Sequence, residues 1–173
     1  MPQRFTQYRA VLAKIDQKFA QIVAVHAHRF ACRAGCHGCC LGGLTVSRVE
    51  RDHIAAWLST PDGAATPPPA DASTHDGCAF LDGAGTCSIY EVRPAICRSH
   101  GAAIRVRRPG AERPDLDVCP LNFTDIQLAD LDAGDFIDVD TLNLLLFVVG
   151  RRYAPDDDGA RFALTPDGIR TEY

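Results

Sequence analysis

Cys32-Arg33-Ala34-Gly35-Cys36-His37-Gly38-Cys39-Cys40 places four cysteines within nine residues. Gly35 and Gly38 sit among them, and Gly42 and Gly43 follow. Thiolates are good ligands for soft or borderline cations, and glycine lets the backbone curl around an ion. The adjacent pair Cys39-Cys40 argues against a plain disulfide framework, because neighbouring side chains point apart and join only with strain. The stretch reads as a metal nest around which the other elements are expected to fold.

Four further cysteines lie downstream at Cys78, Cys87, Cys97 and Cys119. The 173 residues are enough for one domain with a real core. A net charge of -4 gives no general attraction for nucleic acid or anionic membrane. The longest apolar run, residues 144–149, is far too short to span a bilayer. The start, Met1-Pro2-Gln3-Arg4-Phe5, lacks the apolar core of a secretory signal. The expectation is a soluble cytoplasmic protein with no nucleic-acid or membrane partner. In a reducing compartment, eight cysteines point to metal or redox chemistry rather than disulfides.

Upstream of the nest, residues 3–30 read as one long amphipathic helix. Phe5, Tyr8, Leu12, Ile15, Phe19, Ile22 and His26 recur at alternating spacings of three and four. His26 and His28 are expected to serve packing or solvent rather than a metal. Downstream, Ser47 and Glu50 form a capping box that starts a helix to about residue 59, burying Ile54, Trp57 and Leu58. Residues 60–77, with Pro67-Pro68-Pro69, read as a mobile surface loop inside a single domain of residues 1–173. A small β-hairpin turning at Asp82-Gly83 is expected to bring Cys78 and Cys87 together.

Ser88 with Glu91 reads as a second capping box, and Pro94 suits the first turn of a helical segment carrying Cys97 and Arg98. Residues 103–107 alternate as a strand, and Arg105, Arg107 and Arg108 form a local basic patch, read as a solvated strand face or, alternatively, as a contact for an anionic partner. Asn122 or Thr124 is placed as the cap of a helix through residue 131, and Asp140 as the cap of a helix over 141–153. That last helix is apolar nearly all round, so it is buried or packs on a partner chain, which allows a homo-oligomer. Asp156-Asp157-Asp158-Gly159 is a turn without the spacing or glutamate of a calcium loop, and residues 161–164 offer a short strand. The fold class is mainly α and irregular, with helices around a cysteine-lined metal centre and a small β-hairpin.

The cluster at residues 32–40 has the pattern C-x-x-x-C-x-x-C-C. It is followed by Cys87-Ser88-Ile89-Tyr90-Glu91-Val92-Arg93-Pro94-Ala95-Ile96-Cys97-Arg98. Together these resemble the bacterial cysteine-cluster family described as zinc- or iron-chelating proteins. The likeness covers roughly residues 30–120. It implies metal binding, and through a superfamily shared with flagellin lysine N-methylase it also hints at methyl transfer in some relatives.

Eight thiolates suffice for two tetrahedral four-cysteine sites, or for one cluster with spare ligands. Zinc is the first expectation; iron or an iron–sulfur cluster is the alternative. The candidate ligands are Cys32, Cys36, Cys39, Cys40, Cys78, Cys87, Cys97 and Cys119, and His37 and His100 are the best non-cysteine candidates. Arg33, Arg93 and Arg98 are available to offset the negative charge of a thiolate site, or to frame the second motif. The spacing Cys32-x3-Cys36-x2-Cys39 equals that of a radical S-adenosylmethionine cluster. The chain lacks the strand–helix alternation such enzymes use. An enzyme of the protein-methylating or redox type is the alternative function, with no catalytic residue assigned, since no glycine-rich nucleotide loop follows a strand. Cys39 and Cys40 do not easily face one ion. The cluster is therefore expected to split, or to share a centre with Cys78, Cys87 and Cys97.

Overall fold

The computed structural model describes residues 3–33, 35–65 and 77–170. Its helices are α1 (Thr6–His26), α2 (Arg48–Leu58), α3 (Pro61–Ala64), α4 (Ala95–Ser99), α5 (Val139–Tyr153) and α6 (Pro166–Ile169). Its strands are β1 (Thr45–Val46), β2 (Ile104–Val106), β3 (Asp115–Asp117), β4 (Ile137–Asp138) and β5 (Phe162–Ala163). The fold is mainly α and irregular, as expected. β1 pairs antiparallel with β5, while β2 is flanked by β3 antiparallel and β4 parallel. Of the loop expected at 60–77, residues 66–76 lie outside the described residues, and Thr60 caps α3 through the Gly63 amide.

The α1 stripe forms as its periodicity dictates. Phe5, Tyr8, Leu12, Ile15 and Ile22 are buried, the first four with Val49 of α2, Ala95 of α4 and Leu142 of α5. A second cluster joins Val46, Ile54, Phe80, Ile89, Val92, Leu164 and Ile169, and Cys78, Cys87 and Cys97 pack against it. A third holds Ile22, Ala102, Phe123 and Ile137. Three of the candidate ligands, Cys78, Cys87 and Cys97, thus rest on an apolar floor that the late residues Leu164 and Ile169 help to build.

The Ser47–Glu50 capping box is present, with Ser47 donating its amide (2.9 Å) and hydroxyl (2.8 Å) to Glu50 Oε2. Glu50 also does something no local pattern indicates. It is buried, and its Oε1 accepts the Ala95 amide at 3.2 Å. One carboxylate therefore serves the N-termini of both α2 and α4, where unpaired amides favour negative charge.

Three local expectations are corrected. Ser88 does not cap: its hydroxyl donates to Phe80 O at 3.1 Å across the hairpin, and residues Tyr90–Val92 make only a 3-10 turn. The cap of α5 is Asp138 rather than Asp140. Asp138 Oδ1 accepts the Thr141 amide at 2.8 Å, and Asp140 accepts the Arg107 amide instead. Asp138 wins because β4 fixes it, with its Oδ2 held by Arg105 at 2.8 Å. Neither Asn122 nor Thr124 starts a helix through residue 131. Asn122 is drawn inside by buried backbone groups, leaving a 3-10 turn at Leu128–Asp130. Of α5, expected to be buried or packed on a partner chain, Leu142 is buried against α1, while Leu144 and Phe147 are 62% and 65% exposed.

His26 is a packing residue, as expected. Its Nε2 lies 3.1 Å from Asp135 Oδ2, Arg29 meets its Nδ1 at 3.1 Å, and Phe123 covers its ring. Two of the three patch arginines are paired, Arg105 with Asp138 and Arg108 with Asp115.

His53 sits edge-on to Phe5 and Tyr8 with both ring nitrogens lacking a hydrogen-bond partner. Burial first, then the charges of Arg9 and Arg98, lower its pKa from 6.5 to about 4. The unfolded chain therefore takes up this proton before the folded one. Its stability contribution is complete above pH 6.5 and is lost as pH falls toward 4. His53→Leu is expected to flatten this loss, by up to about 3 kcal/mol, in denaturant titrations at successive pH values.

Candidate metal centre

All eight cysteines are free thiols. The nest is built from two successive turns, in which Cys36 N donates to Arg33 O and Cys40 N to His37 O, each at 2.9 Å. Gly35, inside the first turn, has φ +83°, a left-handed conformation that a side chain resists. The nest is laced to the hairpin by Cys78 N donating to Cys40 O at 2.9 Å and by an antiparallel bridge from Leu41 to Gly77. The expected hairpin closes through the Leu81–Cys87 bridge. Asp82 Oδ1 accepts the Ala84 and Thr86 amides at 2.9 and 2.8 Å, an Asx turn that sets its tip. α4 then carries Cys97 over the same apolar floor.

The sulfurs fall into two electrostatic neighbourhoods. Cys40, Cys78, Cys87 and Cys97 form the first. Burial pushes Cys97 up to about 12, and the charges of Cys78 and Cys87 add to it; burial likewise raises Cys78 and Cys87. The Arg93 guanidinium opposes this at Cys87 and Cys97 while lying 4.2 Å from the Tyr90 ring centroid. Cys32, Cys36 and Cys119 form the second, where burial raises Cys32 and the Asn122 amide, 3.2 Å from its Sγ, lowers it. Cys39 stands between the two. Hydrogen bonds from Cys40 and His100 hold it well below the usual thiol range, while the Cys39 thiolate and burial drive Cys40 upward.

Among the described residues, no three His, Cys, Asp or Glu side chains converge to metal-ligating distance as they stand. The donor chemistry nevertheless fits a soft or borderline divalent cation. In a four-thiolate zinc site the sulfurs stand about 3.8 Å apart, given metal–sulfur bonds of about 2.3 Å. Burial raises Cys78, Cys87 and Cys97, the charge of Cys78 adds to it at Cys87, and the charges of Cys78 and Cys87 add to it at Cys97, with Arg93 opposing the rise at Cys87 and Cys97. A divalent ion removes that repulsion.

The histidines part company. His100 reaches Cys39, whereas His37 turns its Nδ1 to Gly35 O at 3.0 Å and lies against the hairpin at Gly85. Arg93 faces the sulfurs. Arg98 instead frames the motif, donating to Arg93 O at 3.0 Å, Glu91 O at 2.9 Å and Asp16 at 2.5 Å. Arg33 is exposed.

Sequence reasoning missed Asn122 at the site. It is 2% exposed, accepts the Ala31 amide at 2.8 Å, donates to Gly101 O at 2.7 Å and approaches Cys32. The available signal was its place three residues after Cys119, where the two backbones close a turn at 2.8 Å. Gly101 has φ +98°, and a Cβ there would stand 3.1 Å from Cys32 Sγ, so glycine leaves the sulfur its space.

Compared with known families, residues 31–120 match the family model described as "Putative zinc- or iron-chelating domain", a span of more than half the chain. No curated protein and no solved structure gives a match.

Proposed function

Because the chain belongs to the family described as "Putative zinc- or iron-chelating domain", we propose that it is a single metal-binding domain that holds zinc through clustered cysteine thiolates, divided between two centres. Cys40, Cys78, Cys87 and Cys97 would hold one ion. Cys32, Cys36, Cys119 and Cys39 would hold the other, with His100 setting the proton on Cys39. The observation that carries this reading is the packing of Cys78, Cys87 and Cys97 against one apolar floor, with the charge of Arg93 acting on Cys87 and Cys97.

Bound metal supplies a cation that neutralises several thiolates at once. The chain's own residues do the rest. Asn122 orients Cys32, the hairpin backbone fixes Cys78 and Cys87, and α4 positions Cys97. In this reading the metal clamps α1 and the nest to the hairpin and α4, a structural or metal-handling role. Iron in the same thiolate set is the second reading, favoured by the all-sulfur character of the donors.

Protein purified reduced and without oxygen is expected to be colourless and to carry about two equivalents of zinc, as two four-thiolate sites require. Visible absorption with iron and sulfide in the metal assay would replace zinc by an iron–sulfur centre. Protein that binds neither metal would overturn the reading.

A further inference from the structure

A cleft of about 340 Å³ opens between α1, α2 and the segment before α4. Its walls combine an apolar body with two opposite charges. Leu12, Trp57 and Val92 give the apolar surface, and Arg9 and Glu91 line it with them. Among the described residues, neither the Arg9 guanidinium nor the Glu91 carboxylate has an ion-pair or hydrogen-bond partner. The other charges there, Arg98 and Asp16, satisfy each other at 2.5 Å. The cleft is also lined by His53, 3% exposed, with both ring nitrogens unpartnered. Buried polar groups are normally paired, and an orphan at the floor of a cavity marks a place where a ligand or water completes the set.

We propose that this cleft binds a free α-amino acid with an apolar or aromatic side chain, its carboxylate on Arg9, its ammonium on Glu91 and its side chain against Trp57 and Leu12. A simple anion would leave Glu91 opposing it, and a simple amine would leave Arg9 opposing it. A zwitterion satisfies both, and the volume suits a molecule of amino-acid size. Nothing in this assignment depends on the cysteines.

The test is ligand-observed NMR and calorimetry on the metal-loaded, full chain with the standard L-amino acids. L-Phenylalanine is compared with phenethylamine, which lacks the carboxylate, and hydrocinnamate, which lacks the ammonium. Apolar and aromatic amino acids are expected to bind, with both truncated analogues weakened about tenfold or more. Arg9→Gln and Glu91→Gln should each weaken binding by a similar factor while melting temperature and metal content stay at the parent values. No binding by any amino acid at millimolar concentration overturns the proposal. So does equal binding of either analogue, or indifference of binding to both substitutions.

Discussion

A Cys97→Ser chain is expected to lose one bound metal equivalent and keep the other. Cys97 packs on the floor formed by Ile54, Phe80, Ile89 and Val92, beside Cys78 and Cys87. A serine hydroxyl at that place is a hard, protonated donor that cannot replace a thiolate. Even the hydrogen-bond partners of metal ligands are worth 10–100-fold in affinity, so removal of a ligand is expected to cost on the order of 100-fold or more. Cys119→Ser is expected to empty the other centre instead. Metal counts and competition with a coloured chelator, run on both variants, decide the partition. Identical losses would merge the two neighbourhoods into one cluster, and unchanged counts in both would remove these cysteines from ligation.

Glu50→Ala is expected to be the most damaging single change away from the sulfurs. It removes the acceptor for the Ser47 amide and hydroxyl and for the Ala95 amide, all at a site 3% exposed. Hydrogen bonds to charged groups contribute about 1.5–3 kcal/mol, and orphaned buried donors add to the loss. A destabilisation of about 3 kcal/mol would lower the melting temperature by roughly 6–12 °C in a chain of this size. Glu50→Gln, which keeps a carbonyl acceptor, is expected to fall between. If metal-loaded Glu50→Ala melts with the parent chain, the carboxylate does not join α2 to α4 in solution.

Much of the fold was legible because it rests on local periodicity and local chemistry. The α1 stripe, the Ser47–Glu50 box, the hairpin at Asp82-Gly83 and the strand at residues 104–106 each follow from a few neighbouring residues. The misses share one cause, competition from a distant partner. Asp138 became the α5 cap because Arg105, 33 residues away, already held it. Ser88 turned to the hairpin rather than to a helix. Asn122, a plausible helix cap by type, was taken by Ala31, Cys32 and Gly101, and no local pattern announces that. At the site, the crowding of cysteines was plain from spacing. Which cysteines are neighbours was not, because that depends on contacts distant in sequence, such as Cys78 N donating to Cys40 O.

The pairing of β1 with β5 has a consequence for synthesis. Thr45 meets Ala163, and Leu164 and Ile169 complete the floor beneath Cys78, Cys87 and Cys97. On the ribosome, every cysteine through Cys119 emerges before the residues that seal this floor. The nascent chain therefore passes through an interval in which its thiols are gathered by local turns but not yet enclosed. Contacts of such long sequence separation close slowly. That interval is the natural window for loading, and equally for oxidation, so the supply of metal and reductant during translation would govern the yield of correctly assembled protein.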